Sequence, residues 1–290
     1  MSTDSNWGRW GHDDELGALN LIGPATTLAA LAAAQTGQIL SLAQPAGPKA
    51  GVPPHRRRAA RYMDRDAGDY ALGAHSPHGF RFAEDTVTLS THSGTHVDAL
   101  SHVWSGDELY NSHSAANVRS TTGAKRLGAE KLRPSVTRGV LVDLVEAHGS
   151  PLAKSTPVGA QDLVHAYETA GVEPSAGDAV LLRTGWWEHM TVDEYFDLEP
   201  GLSLDGAKWL TDHDVALVGA DNYAVEVQPS PEGTTFPVHL HLLHQHGVPL
   251  IENLALDDLA ASGRKVFVFV FAPIPLEGST ASPVTPLAIL

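Results

Sequence analysis

The amino-acid sequence predicts a mixed α/β fold in a single domain. The chain has 290 residues, of which 42% are hydrophobic and 18% charged, so it can bury the core of one ordinary globular domain. Short apolar runs alternate along it with amphipathic stretches of helical length, and this alternation is typical of α/β proteins rather than of all-β barrels. No internal repeat is visible, and we therefore expect one domain over residues 1–290.

The first predicted elements are a helix and a long arm. The helix is expected from Pro24 to Gln35, because proline near the start and glycine just past the end are typical of helix termini. Leu28 and Leu31 are expected to pack this helix against the rest of the protein. Residues from about 43 to 80 are rich in Pro, Gly, Arg and His and show little periodicity, which predicts a long loop or arm.

The remaining predicted elements are buried strands and the helices between them. The strands are apolar runs bounded by Gly, Asp, Lys or Pro, whereas the helices are amphipathic. The predicted strands are Val140–Val145, Ala179–Leu182, Val215–Val218 and Val266–Phe271, and the predicted helices span residues 159–170, 205–212 and 237–246. Composition and spacing leave the order of the strands in the sheet open.

The overall charge restricts the partners of this protein. With 34 acidic and 19 basic side chains the net charge is -15, which argues against nucleic acid and anionic membranes as ligands. The run Arg56–Arg58, with Arg61 nearby, is the basic exception. We expect it to be a solvated loop, with contact to an anionic substrate or to a second subunit as the alternative.

The sequence also bears on compartment and on covalent chemistry. Its first residues are polar, and no apolar run reaches the roughly 18 residues that span a bilayer, so we expect a cytoplasmic protein. The chain has no cysteine, which excludes disulfides and a thiol nucleophile. It also lacks a Gly-x-Ser-x-Gly elbow, a Gly-x-Gly-x-x-Gly turn and a phosphate-binding loop. A catalytic site of a different type from these is therefore expected.

A histidine-rich motif offers candidate ligands for a catalytic metal. Directly after a strand-like run, the segment from His92 to His102 holds three imidazoles and a carboxylate in eleven residues. Imidazole and carboxylate suit zinc, manganese or ferrous iron, and a chain without thiolates points to an open, catalytic metal. Gly94 permits a sharp turn, so that His92, His96 and Asp98 can converge on one ion. His102 is left over nearby, where a proton carrier would lie.

The motif resembles the signature of a known family. The pattern His-x-Gly-Thr-His-x-Asp-x-x-x-His resembles that of the putative cyclase family, which includes bacterial kynurenine formamidases and isatin hydrolase. Leu100 stands where that family usually has proline, a difference that affects loop rigidity rather than ligand chemistry. The segments Leu181–Trp186, Gly219–Tyr223 and 236–254 also resemble the family. The resemblance implies the swivelling β/β/α fold and a homodimer with loops exchanged at the active site.

The resemblance also implies further ligands in the second histidine-rich segment. It suggests His239 and Glu252 as ligands of a second metal that Asp98 bridges, or as polar groups around a single metal. The spacing leaves His241 as the alternative to His239. The other histidines of this predicted helix, His241, His244 and His246, are expected on a solvated face.

Two other residues are candidates for a substrate pocket. Asp221 follows the strand-like run at 215–220, where active-site groups collect in α/β folds, although a carboxylate there also serves to cap a loop. Trp186 offers a wall for a flat aromatic substrate, and its alternative role is that of a core aromatic residue.

These residues predict a metal-dependent hydrolase. A divalent ion, zinc or manganese, with one or two ions per chain, would activate water and polarise a carbonyl group, while His102 moves the proton. The expected reaction is hydrolysis of an amide, formamide, cyclic amide or lactone in a small aromatic or cyclic substrate.

Two other reactions stay open at the level of the sequence. A cyclase or dehydratase of polyketide-type metabolism would use the same acid, base and Lewis acid. A ferrous 2-oxoglutarate oxygenase would use His96, Asp98 and His239 as a facial triad. That alternative is disfavoured because it leaves His92 unexplained and belongs to jelly-roll barrels.

Overall fold

The computed structural model describes residues 5–47, 52–189 and 195–290. Its strands are β1 (Ile39–Ser41), β2 (Ala60–Arg65), β3 (Glu84–Thr88), β4 (His96–Asp98), β5 (Val118–Arg119), β6 (Gly123–Ala124), β7 (Ser135–Asp143), β8 (Pro157–Val158), β9 (Ala179–Arg183), β10 (Gly201–Leu202), β11 (Leu217–Ala220), β12 (Leu250–Glu252), β13 (Val266–Phe271), β14 (Ala281–Pro283) and β15 (Leu287–Ile289).

The helices are mostly short. They are α1 (Pro24–Leu31), α2 (Ala67–Ala71), α3 (Leu144–His148), α4 (Ala160–Ala170), α5 (Trp186–His189), α6 (Leu204–Asp212), α7 (Pro237–His239) and α8 (Asp257–Ala261). A π-helical turn, Leu240–Gln245, continues α7. Turns of 3₁₀ helix lie at Gly17–Leu21, Pro77–Gly79, Tyr110–Ser112, Ala115–Asn117 and Ala129–Lys131.

One mixed sheet organises the described residues. Nine of their strands pair in the order β1-β15-β13-β7-β9-β11-β12-β4-β14. The central strands β7, β9, β11 and β12 are parallel, and the strands on both sides of them pair antiparallel. Alternate residues of a central strand enter different cores, as with Val140 and Leu141 on β7. Burial on both faces explains why these strands are continuous apolar runs.

The predicted elements of the sheet and its helices are confirmed with small shifts. Strand β13 has the predicted bounds, while β7 starts earlier and stops at Asp143. The Asp143 carboxylate accepts a hydrogen bond of 3.1 Å from the Glu146 amide and so begins α3, which takes over the last residues of the predicted strand. The three predicted amphipathic helices correspond to α4, α6 and α7 with its π turn.

The predicted packing of α1 is wrong. Leu28 and Leu31 are 68% and 48% exposed, whereas Ala30 is buried. The face of α1 towards the sheet carries small and polar side chains. One of them is Thr27, whose hydroxyl donates a hydrogen bond of 2.8 Å to the carbonyl of Val136 on β7. This close approach turns both leucines outward.

The predicted arm contains regular structure. Strand β2 lies within it and pairs antiparallel with β3, so the two strands form a ribbon. Every residue of β3 is exposed, and Tyr62 of β2 is 60% exposed. The ribbon is therefore not packed against the rest of its own chain. No helix in the described part of the chain is long and apolar enough to cross a bilayer.

Candidate metal centre and active site

Strand β4 places two residues of the histidine motif side by side. His96 and Asp98 are separated by one residue of an extended strand and therefore point to the same face, while Val97 points into the core behind it. Gly94 has φ +62, which allows the turn that leads back to His92. The motif thus combines a strand with the predicted turn.

Hydrogen bonds from the end of β12 hold this turn. The Thr95 hydroxyl donates to the carbonyl of Asn253 at 2.5 Å, and the Asn253 side-chain amide donates to the carbonyl of Gly94 at 3.2 Å. The backbone amide of Gln44 donates to the Thr95 hydroxyl at 2.8 Å. The turn and strand β12 are consequently fixed relative to each other.

The first group of candidate ligands consists of His92, His96 and Asp98. Asp98 Oδ1 lies 2.8 Å from His92 Nδ1 and 3.7 Å from His96 Nε2. Glu252 lies opposite His96 in the β12–β4 pairing, and its Oε2 is 3.1 Å from His96 Nε2. Strand pairing thus adds a second carboxylate to the motif.

A second group shares Asp98 with the first. Asp98 Oδ2 lies 3.8 Å from His239 Nε2 and 3.9 Å from His102 Nε2. Glu252 Oε1 is 3.4 Å from His239 Nε2. The structure therefore brings together His92, His96, Asp98, His102, His239 and Glu252, all six residues that the sequence analysis assigns to metal binding and proton transfer.

The free atoms of this cluster fit a divalent metal. His92 Nδ1, His96 Nε2, both Asp98 oxygens and Glu252 Oε2 are buried without a hydrogen-bond partner. The opposite ring nitrogens are occupied: His92 Nε2 contacts the Thr280 hydroxyl at 3.1 Å, and His96 Nδ1 contacts the Gly94 carbonyl at 2.8 Å. Buried polar atoms without partners are costly, and a cation held by His92, His96 and Asp98 would remove much of that cost.

Glu226 is a site residue that the sequence analysis missed. Its Oε1 lies 2.5 Å from His239 Nδ1 and accepts the His239 backbone amide at 3.0 Å, while its Oε2 accepts the Val238 amide at 3.2 Å. The carboxylate thereby orients the imidazole with Nε2 towards Asp98. A lone acid between two valines, in the buried run Tyr223–Val227, was the signal in the sequence.

The charges of the cluster respond to burial and to each other. Burial lowers the pKa of His102 to about 4, so this ring is neutral. Burial alone would lower the pKa of His239, but its hydrogen bonds with Glu226 and Glu252 raise it to about 10. Burial would raise the pKa of Asp98, yet the nearby His102 and His92 hold it well below its usual range. The cluster is a set of ionised carboxylates among histidines.

A cavity of about 560 Å³ leads to these residues. His102, His239 and Glu252 form its polar end. Its other lining residues are His55, Arg56, Val103, Trp104, Tyr223, Ala224, Thr235, Phe236 and Leu240. Aromatic and aliphatic walls with a few convergent polar groups are typical of sites for small molecules.

The structure does not bring Asp221 and Trp186 to this cavity. The Asp221 carboxylate accepts hydrogen bonds from the Thr184 hydroxyl at 2.6 Å and from the Gly185 amide at 2.8 Å, and so holds the turn after β9. The Trp186 indole is buried and donates to the carbonyl of Tyr195 at 2.9 Å. It packs in a small cluster with Tyr223 and therefore stands behind the cavity wall.

The predicted solvated face of the second histidine segment is also wrong. His241, His244 and His246 are all buried. His241, the alternative to His239, has its ring nitrogens 3.0 Å from the Thr211 hydroxyl and 3.0 Å from the Gln245 side chain. The π turn lies between α6 and the segment around Glu108, whose carbonyl is 3.0 Å from His244 Nε2, so these rings are enclosed rather than solvated.

Comparison with known proteins gives consistent matches. The sequence profile of the "Putative cyclase" family matches residues 25–227. Isatin hydrolase from Roseibium aggregatum is 27% identical over 218 residues, which cover 72% of this chain and 75% of that protein. Kynurenine formamidase from Bacillus thuringiensis subsp. konkukian is 27% identical over 199 residues, which cover 68% and 76%.

A solved structure extends the match to nearly the whole chain. The crystal structure of a novel cyclase superposes with a TM-score of 0.92 at 34% identity, over 99% of this chain and 97% of that chain. The predicted fold class is confirmed by this likeness. The profile match covers more than half of the sequence, and the chain belongs to the "Putative cyclase" family.

Proposed function

We propose that this protein is a metal-dependent hydrolase that cleaves an amide, formamide, cyclic amide or lactone in a small molecule. The observation that carries the proposal is the convergence of buried histidine and carboxylate atoms without hydrogen bonds at the polar end of the cavity. Relatives named isatin hydrolase and kynurenine formamidase support hydrolysis of carbon–nitrogen bonds. The sequence-based prediction of a hydrolase agrees with them.

The proposed metal ligands are His92, His96 and Asp98, with His239 and Glu252. A divalent ion held there supplies Lewis acidity and lowers the pKa of water towards about 7. Asp98 and Glu252 face both histidine groups, an arrangement that accommodates one ion or two. Imidazole and carboxylate ligands suit both zinc and manganese.

His102 is the proposed proton carrier. It is neutral, because burial lowers its pKa to about 4, and its side chain remains 25% exposed at the cavity. A neutral imidazole in this place accepts the proton of the attacking water and returns it to the leaving nitrogen or oxygen.

The cavity walls support an aromatic or cyclic substrate. Trp104, Tyr223 and Phe236 offer flat faces beside the polar end. Such faces stack on rings and exclude water from the reacting group.

Two other reactions remain to be compared. Ring formation uses the same residues, so a cyclase or dehydratase is the second candidate. A ferrous oxygenase is disfavoured, because the described sheet has parallel central strands instead of a jelly roll and because His92 belongs to the cluster.

The arm supports a homodimer. The described part of the arm together with the segment that contains β3, residues 52–91, carries six arginines and five carboxylates. The rest of the chain carries 13 basic and 29 acidic side chains. Exposed apolar side chains of this arm include Tyr62, Met63, Leu72, Phe80 and Val87. A second copy of the chain that packs on the arm would cover these apolar side chains. The cytoplasmic location stays a prediction from the sequence.

The test of this function compares wild type with His102→Ala on isatin and on an aryl formamide. We expect the variant to keep the metal content of the wild type and to lose about 10²- to 10⁴-fold in kcat, as is usual for removal of a general base. A fully active variant would remove the assignment of His102. Formation of a ring from an open-chain precursor, without hydrolysis of either compound, would favour the cyclase.

A further inference from the structure

Arg56 lies beside the metal cluster without being part of it. It is half-buried and lines the cavity. Its Nη1 donates a hydrogen bond of 2.5 Å to the backbone carbonyl of His92, whose ring faces Asp98. Its Cζ lies 5.1 Å from the centre of the Tyr223 ring. A backbone acceptor and an aromatic face thus hold the guanidinium in one place.

The positive charge of Arg56 has no acidic partner among residues 5–47, 52–189 and 195–290. Within the described cavity lining, Arg56 is the only Arg or Lys, and Glu252 is the only carboxylate. Glu252 faces His96 and His239, and it is a proposed metal ligand. The remaining N–H groups of Arg56 are therefore available to a ligand.

We propose that Arg56 forms an anion subsite that binds a carboxylate of the substrate. A guanidinium presents several donors in a planar fork, and a carboxylate is the group that matches this fork with two parallel hydrogen bonds. Arg56 contacts the backbone of His92 itself, so the subsite adjoins the metal cluster. The compounds that test this subsite therefore carry a carboxylate and a scissile amide on neighbouring positions of one aromatic ring. This inference rests on the proposed function only for the position of the scissile bond.

The experiment uses two matched pairs of compounds. Anthranilate and anthranilamide serve as ligands in calorimetric binding, and 2-formamidobenzoate and 2-formamidobenzamide serve as substrates. Each pair differs only in the charge of one group. The proteins are the metal-loaded wild type, Arg56→Gln, Arg56→Lys and the control Arg57→Gln, whose exposed side chain lies outside the cavity. Metal content is measured for every variant.

We expect the wild type and Arg57→Gln to bind the carboxylate about 10- to 100-fold more tightly than the amide, as is typical for charge-assisted hydrogen bonds. Arg56→Gln should lose this preference while its binding of the amide stays the same. Arg56→Lys should keep part of it, because a point charge remains. For the two formamides, KM of the carboxylate compound should be lower than KM of the amide compound in the wild type, and Arg56→Gln should lose this difference.

Three results would overturn the proposal. The first is a wild type without preference for the carboxylate. The second is a preference that survives in Arg56→Gln, since the metal itself would then bind the anion. The third is an equal loss for both compounds or a loss of metal, which would limit Arg56 to support of the His92 loop. An Arg56-dependent preference without turnover of either formamide would leave the subsite standing and remove aryl formamides from the substrates of the proposed hydrolase.

Discussion

At the scale of single residues, three imidazoles of the cluster each have one ring nitrogen in contact with a neighbouring group. That contact determines that the other nitrogen faces the carboxylates of the candidate metal site. Thr280 and the carbonyl of Gly94 take one ring nitrogen of His92 and His96, and Glu226 takes Nδ1 of His239. The free nitrogens then point towards Asp98 and Glu252. The proposed ligands are in this way oriented in the absence of an ion, which reduces the entropy that metal binding would have to overcome.

The role of Glu226 predicts a loss of metal affinity when its charge is removed. Glu226→Gln keeps the size of the side chain but weakens the hold on His239 and its basicity. We expect metal affinity to fall about 10- to 100-fold, measured by competition with a chelating indicator. Glu232→Gln, a change of the same kind at an exposed position, is the control and should bind metal like the wild type. Equal affinity of Glu226→Gln and the control would contradict the role.

Glu199 predicts a pH-dependent effect on stability. Burial raises its pKa well above the usual 4.5, although its Oε2 accepts the Tyr223 amide at 2.8 Å. The folded protein therefore keeps a proton that the unfolded chain releases above about pH 4.5, so the stability due to this group falls as the pH rises from there. Glutamine does not titrate and can accept the same hydrogen bond.

We therefore expect Glu199→Gln to gain free energy of unfolding relative to wild type between pH 5 and pH 8. Denaturant unfolding at both values measures the difference. A difference that is constant with pH, or one that shrinks towards pH 8, would show that Glu199 is ionised in the folded protein.

At the scale of elements, the position of the segment α7–π turn depends on how closely it can approach its neighbours. Gly247 follows the π turn with φ +64, and a Cβ there would lie 2.7 Å from the Tyr110 ring and 2.8 Å from Gly17 Cα. The backbone of Gly247 is also held in place, because its carbonyl accepts a hydrogen bond of 2.8 Å from the Ala18 amide. Only glycine fits this contact.

Gly247→Ala should consequently destabilise the protein by about 2 kcal/mol or more, through overpacking added to backbone strain. Gly263→Ala is the matched control, because Gly263 has φ +71 with no atom within 4 Å of a Cβ, and strain alone should cost about 1 kcal/mol. Denaturant midpoints of the two variants measure both effects. Equal losses would show that the contact with Tyr110 carries no energetic weight.

The elements also show where sequence reasoning succeeds and where it stops. The histidine motif was found from its residue types and from the turn that Gly94 permits, although a strand rather than a loop places His96 and Asp98 on one face; the apolar run of β13 gave its bounds. The strand-like run before His92, residues 86–91, overlaps β3, but β2 was missed because it is exposed and lies in a segment without regular periodicity, and so the ribbon that it forms with β3 was not predicted. The role of Glu226 depends on where the chain folds back, which no local pattern specifies.

At the scale of the whole molecule, the sheet and the arm meet at one site. Glu252 lies at the carboxyl end of the parallel strands, where active sites of α/β proteins collect, and the antiparallel strand β4 adds His96 and Asp98 beside it. Arg56 of the arm lines the same cavity and donates a hydrogen bond to the carbonyl of His92. The chemistry proposed for this protein depends on the metal ion that we propose at their junction.

The most direct measurement is the metal content per chain together with turnover of an aryl formamide. Both are followed in the purified protein, after chelation, after return of zinc or manganese, and in His239→Ala. We expect metal and turnover to be lost together and restored together, and His239→Ala to hold less metal than the wild type. Full turnover by protein that elemental analysis shows to be free of metal would contradict this expectation.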